Sequence, residues 1–149
     1  MDIFFRIARY ALLVTFLTGC TTLLTMQTVD LRNTTDFPDY DISAVVDDAC
    51  LQRLKKSDQW TRDEFVAQWA NETDDELVLL WLWHNGEVRE MYRLPPKTLS
   101  RTSLLDGMGI AVINERLGNC LFTDVVTEQA LEGKKQQFSE SSTTVLNVQ

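Results

Sequence analysis

The chain has 149 residues with 44% apolar and 24% charged side chains, six glycines and three prolines, which is the composition of one folded domain and excludes both a disordered chain and a fibrous repeat. Fourteen basic residues against 22 acidic ones give a net charge of −8. That is the wrong sign for holding nucleic acid through its phosphates. The three cysteines are an odd number, so one needs a different explanation from the other two.

The first nine residues carry Arg6 and Arg9, and Tyr10 to Leu17 is an apolar run ended by Leu17-Thr18-Gly19-Cys20. This is the layout of a signal peptide. The two arginines interrupt the apolar stretch, so it falls short of the roughly 20 residues that a membrane-spanning helix needs. Leu17-Thr18-Gly19-Cys20 resembles the lipobox of bacterial lipoproteins, with small residues just before a cysteine. The resemblance covers the leader alone and implies that residues 1–19 are removed, that the Cys20 thiol carries diacylglycerol and that the new amino terminus is acylated. Several acyl chains make a stable anchor where one gives reversible binding. Thr21, rather than aspartate, follows Cys20, which in this class implies the outer membrane, with the protein facing the periplasm. The expected mature chain keeps 12 basic and 21 acidic residues, a charge of −9.

Residues 20–40 show no sustained apolar period and read as a lipidated cysteine followed by a flexible tether. Fully extended, each residue adds up to roughly 3.3 Å, so the domain could stand tens of ångströms from the bilayer. Residues 41–136 are expected to form a single periplasmic α+β domain, and residues 137–149 a flexible tail.

Ser43 is positioned to cap a helix carrying Val45, Val46, Ala49, Cys50 and Leu54 on one face, with Lys55 and Lys56 at its C-terminal end. Thr61 and Glu64 form a capping-box pattern before a second apolar stripe of Phe65, Val66, Trp69 and Ala70, which predicts a second helix. The run Leu77 to Trp83 is apolar on every face. Thr73 and Glu76 before it suit a helix, but its length and the Asn85-Gly86 pair after it favour a buried strand and a type I′ hairpin to Val88–Leu94, stopped by Pro95-Pro96. Ile110–Ile113 and Cys120–Val126, separated by Gly118-Asn119, predict a second hairpin, in competition with a helix over 102–117. Thr127–Glu132 reads as a short helix ended at Gly133. The expected fold class is therefore α+β: a small antiparallel sheet of two hairpins with two to three packing helices, or alternatively a mostly α fold.

With Cys20 assigned to lipid, Cys50 and Cys120 are left as a pair for a disulfide in an oxidising compartment. They lack the Cys-X-X-Cys spacing of a reactive thiol pair. His84 is the single histidine, which excludes zinc sites built from several imidazoles, and its place at a turn suits an exposed residue better than a catalytic base. Neither Asp36, Asp39 and Asp41 nor Asp74, Asp75 and Glu76 fits an EF-hand loop, and both groups read as solvated acidic turns. No nucleophile elbow, P-loop, zinc-protease or dinucleotide motif occurs. No enzyme activity, catalytic residue, metal or cofactor is expected.

Of the four tryptophans, Trp60, Trp69, Trp81 and Trp83, Trp69 and Trp81 fall where a core is expected. In a strand, Trp81 and Trp83 share one face and are either buried together or displayed together as a partner-binding pair. The reading that follows is a non-enzymatic, lipid-anchored envelope protein that binds another periplasmic or outer-membrane protein, such as an accessory or pilotin-like subunit of a secretion, pilus or conjugation system. Two alternatives remain: an inhibitor, immunity or exclusion lipoprotein steered by its charge to a basic target, and a glycan- or peptidoglycan-binding protein that uses the tryptophans.

Overall fold

The computed structural model describes residues 24–29, 36–58, 63–131, 133–140 and 146–147. Its strands are β1 (Thr25–Val29), β2 (Glu64–Asn71), β3 (Leu77–Leu82), β4 (Val88–Leu94), β5 (Thr98–Leu105), β6 (Gly109–Asn114), β7 (Asn119–Val125), β8 (Lys135–Phe138) and β9 (Leu146–Asn147). They form a five-stranded sheet in the order β1-β5-β2-β8-β9 and a four-stranded sheet in the order β4-β3-β6-β7. Two short α-helices, α1 (Asp48–Arg53) and α2 (Glu128–Leu131), and a 3-10 turn at Ile42–Ala44 complete the described elements. The fold is mostly β, with two sheets, which corrects the expected α+β class with two to three packing helices and its mostly α alternative.

The inner faces of the two sheets meet in one core. Phe65, Ala67 and Trp69 of β2, Leu104 of β5 and Phe138 of β8 pack with Leu77 and Leu79 of β3 and with Ile110 and Val112 of β6. The opposite face of the four-stranded sheet is also covered. Val78, Leu80 and Leu82 of β3, with Ala111 and Ile113 of β6, lie beneath Ile42, Val46 and Cys50 of the helical segment. Burial on both faces explains why β3 and β6 are apolar without alternation.

Both predicted hairpins are present: β3 pairs antiparallel with β4, and β6 with β7. The first turn is not type I′, because Lys97 is the only non-glycine at positive φ among the described residues, while Gly86 has φ 93°. Gly86 N–H donates to Trp83 O at 3.0 Å and Trp83 N–H to Glu87 O at 2.8 Å, the pattern of a three-residue loop with a left-handed glycine. The short helix ended at Gly133 is α2, and Gly133 is left-handed at φ 70°.

The first predicted helix is broken in two. Asp47, rather than Ser43, caps α1, its carboxylate accepting from Cys50 N–H at 2.7 Å, while Ser43 Oγ donates to Asp41. The predicted second helix is β2. It is hydrogen-bonded to β5 on one side and to β8 on the other, and its burial alternates through Phe65, Ala67 and Trp69, leaving Val66 exposed. The competing helix over 102–117 is replaced by the end of β5, a turn and β6.

Packing extends past the expected domain limits of 41 and 136. Within residues 20–40, β1 runs parallel to β5 and Phe37 is buried. Within residues 137–149, Phe138 ends β8 in the core and β9 pairs with β8. The disulfide Cys50–Cys120 joins α1 to β7 across a sequence separation of 70. Cys20, Trp60 and Thr61 lie outside the described residues.

Candidate functional site

The end of β3 carries the tryptophan pair. Trp81 is the fifth residue of the strand and Trp83 the first beyond it, so both side chains project from the same side. Their ring centroids are 4.4 Å apart at 31°, and both residues are half-buried. Trp81 is the inner member. It meets Phe37 edge-on at 6.2 Å and packs against the sandwich core. Trp83 is the outer member, with the Arg89 guanidinium 5.4 Å from its ring centroid.

A β-bulge brings Arg89 there. Leu79 pairs with Tyr92 but Leu80 pairs with Glu90, so Met91 is an extra residue in β4 and Trp81 stands opposite Arg89. With regular pairing, Met91 would face Leu80 and Glu90 would face Trp81. Arg89 is then held by Glu87 at 3.2 Å, Asp39 at 3.6 Å and the Phe37 carbonyl at 3.3 Å. The Asp39 contact belongs to a β-bridge between Asp39 and Arg89, flanked by Glu90 N–H→Pro38 O and Tyr40 N–H→Val88 O, which covers this part of the edge strand. A guanidinium over an indole face is attractive by about 0.5–2 kcal/mol, depending on desolvation.

Ser57 fixes the base of the pair. Its Oγ accepts from Trp81 Nε1 at 3.1 Å and from Gly109 N–H at 2.8 Å, and donates to Leu82 O at 2.6 Å. This buried hydroxyl therefore ties the 54–58 segment, β3 and β6 together beneath the aromatic cluster.

A second polar cluster lies on the other face of the four-stranded sheet. Arg93 donates to Glu90 at 2.7 and 2.8 Å, to Glu115 at 3.0 and 3.3 Å and to Glu76 at 3.1 Å, and Tyr40 Oη donates to Glu115 at 2.6 Å. Hydrogen bonds from Arg93 and then Tyr40 hold the Glu115 carboxyl below its ordinary value. Burial, followed by the bond to Glu115, pushes the Tyr40 phenol above its own. Three carboxylates around one guanidinium leave an anionic patch.

Trp69 belongs to the core as expected, stacked on Phe138 at 9° with Nε1 donating to Thr102 Oγ1 at 2.8 Å. His84 is exposed at the turn, its ring 6.2 Å from Trp83. The acidic groups are drawn into separate contacts: Asp39 with Arg89, Asp41 with Ser43, Asp74 with Lys97, Asp75 with Arg116, and Glu76 with Arg93. Among the described residues, no group of three or more histidine, cysteine, aspartate or glutamate side chains is placed to hold a metal ion, and no helix is long and apolar enough to cross a membrane. The chain matches no protein-family model and no curated protein sequence.

The same-face placement of Trp81 and Trp83 was legible in the sequence. Phe37, Arg89 and Ser57 were not singled out there, since a bulge and long-range pairing bring them to the tryptophans. The Gly107-Met108-Gly109 sequence was the nearest signal, because a glycine within a strand pattern marks a close backbone approach.

Proposed function

We propose that this chain is a non-enzymatic, lipid-anchored envelope protein that binds a second envelope protein through the surface formed by Trp81, Trp83 and Arg89. The observation that carries this reading is the Trp83 ring, packed on Trp81 at 31° and capped by Arg89 at a half-buried position. Tryptophan and arginine are enriched among the residues that dominate binding energy at protein interfaces, and a ring held by its neighbours loses little freedom on binding. The Cys50–Cys120 disulfide supports an oxidising compartment. The lipobox cysteine Cys20 supports a lipid anchor, and Thr21 supports the outer membrane, facing the periplasm. An accessory or pilotin-like subunit of a secretion, pilus or conjugation machine is the role that best fits a small anchored domain of this kind. The mature charge of −9 favours one second reading, an inhibitor or immunity lipoprotein steered to a basic target.

A photo-crosslinking side chain placed at His84, exposed beside Trp83, with another at Gln68 on the other sheet as control, tests the binding reading in the intact envelope. One defined adduct at His84 and none at Gln68 is expected, and equal adducts at both, or none at either, would overturn the assignment. Conjugation to a transfer or secretion component, rather than to a toxin or a lysozyme, separates the two readings. For the anchor, Cys20→Ala is expected to abolish palmitate incorporation, and undiminished labelling would overturn it.

A further inference from the structure

We propose that the sandwich stands directly on the bilayer, with the turns 72–76, 95–97 and 115–118 toward zwitterionic phospholipid headgroups and the Trp81–Trp83 pair at the far end. The proposal rests on lipidation of Cys20. It departs from the long tether that the sequence suggests.

The geometry follows from β1. Thr25 pairs with Thr98, which pairs in turn with Asn71, and Thr25 N–H donates to Lys97 O. The chain thus enters the fold at the end of the sandwich where β2 turns into β3 and β4 into β5. Leu77 pairs with Leu94 and Val78 with Ile113, so the β6–β7 turn lies at this end as well. Leu82 pairs with Gly109 and Val88, which puts Trp83 at the other end.

Only Thr21 to Leu24 separate Cys20 from β1. Five residue steps of extended chain reach at most about 18 Å, less than the roughly 20 Å length of a six-residue strand. A lipid on Cys20 therefore cannot let the sandwich tumble freely above the membrane.

What this end displays suits such a surface. Met26 and Leu117, 57% and 54% exposed, are two of the three large hydrophobic residues exposed among the described residues, and both lie at this end. The third, Val66, pairs with Ser103 toward the opposite end of the sheet. Acidic groups near the lipid are paired with bases, Asp74 with Lys97 at 3.1 Å and Asp75 with Arg116 at 2.6 Å. Acids nevertheless outnumber bases there, which suits neutral headgroups better than anionic ones.

The test is hydroxyl-radical footprinting, read residue by residue, on the full-length lipidated protein in phosphatidylethanolamine–phosphatidylcholine vesicles. The comparison is a version with about twelve Gly/Ser residues inserted after Thr22, long enough to free the domain. Leu117 and Met26 are expected to oxidise several-fold more slowly in the native protein than in the insertion version, with Trp83 equal in both. Equal rates at Leu117 and Met26 in the two proteins, with palmitate still on Cys20, would overturn the orientation and leave the anchor standing. A native protein without palmitate would overturn the anchor, and the orientation with it.

Discussion

Gly109 and Ser57 meet backbone to backbone: a β-carbon on Gly109 would lie 2.6 Å from the Ser57 nitrogen and 2.3 Å from the Lys55 carbonyl oxygen. These atoms belong to the main chain and cannot swing aside. Gly109→Ala is therefore expected to push the 54–58 segment off β6 and to cost at least the roughly 1–3 kcal/mol of an overpacked core. Ser57→Ala leaves the buried Gly109 N–H and the part-buried Trp81 Nε1 without the acceptor they share, a loss of about 1–3 kcal/mol. Urea unfolding followed by tryptophan fluorescence measures both, and wild-type midpoints for either variant would refute this role of the crossing.

Asn71 is expected to be the costliest polar substitution in the described fold. It is fully buried, and its Nδ2 lies within 2.8–3.0 Å of the carbonyls of Asp75, Leu94 and Pro95, while its Oδ1 accepts from the Thr73 N–H and hydroxyl. One side chain thus joins the β2–β3 connection to the end of β4. Asn71→Ala should cost roughly 2–4 kcal/mol, since several buried groups lose their partner at once. Asn71→Asp keeps the shape but aims a carboxylate at three carbonyls, so at neutral pH it should be the less stable of the two by thermal unfolding.

The hairpins were readable because β3 and β6 are buried on both faces and carry uninterrupted apolar runs beside glycine turns. The five-stranded sheet was not, for two physical reasons. In β2, Phe65 and Trp69 are four residues apart, a spacing that serves a helical stripe and a strand face equally. Only the small residue Ala67 between them marks the two-residue period. In β5 three of the four inward positions are Thr98, Ser100 and Thr102, with only Leu104 apolar, and in β1 the sequence is Thr-Met-Gln-Thr-Val, so neither shows sustained hydrophobic alternation. Their strand state is set by pairing with distant segments, which local pattern does not encode. The same holds for the site: Trp81 and Trp83 are close in sequence, but Arg89 depends on the bulge at Met91.

The Arg93 cluster makes stability depend on pH at both extremes. Glu115 is held below its ordinary value by hydrogen bonds from Arg93 and Tyr40, so its contribution is present above the unfolded value of 4.5 and is lost as the pH falls toward the lower folded one. Asp75, held down by Arg116 and Asn114, acts in the same direction below its unfolded value of 3.8. Tyr40 is raised, mainly by burial, so its contribution is complete below 10.0 and fades as the pH climbs above that. Chemical denaturation across pH should show both limbs. Arg93→Gln should flatten the acid limb and Tyr40→Phe the alkaline one, and an unchanged pH profile in both variants would contradict the assignment.

The disulfide is expected to hold α1 on the sheet that it covers. A loop of about seventy residues closed by a crosslink is worth about 4 kcal/mol in the chain-entropy model. Reduction, or the double substitution of Cys50 and Cys120 by serine, should lower the unfolding midpoint accordingly. Amide exchange should rise first in α1 and β7, because Arg53 Nη2→Cys120 O at 3.3 Å and Thr123 Oγ1→Arg53 O at 3.1 Å are the nearest bonds that remain between them. Uniform loss of protection across both sheets would argue instead for a single cooperative unit.

Trp81 and Trp83 are expected to separate stability from binding. Trp81 is wedged between Phe37 and the core and donates to Ser57, so Trp81→Ala opens a cavity and should cost about 3–5 kcal/mol. Trp83 rests on Trp81 from outside, under Arg89, and Trp83→Ala should cost clearly less, because fewer buried contacts are lost. Either change should remove the exciton couplet in circular dichroism that two indoles 4.4 Å apart produce. Only Trp83→Ala should leave the fold intact while abolishing the adduct formed in the envelope by a crosslinking side chain at His84. If Trp83→Ala proves as destabilising as Trp81→Ala, the outer indole is part of the core and the partner surface must lie elsewhere. If it is neutral to both stability and crosslinking from His84, the tryptophan pair is not the contact that binds.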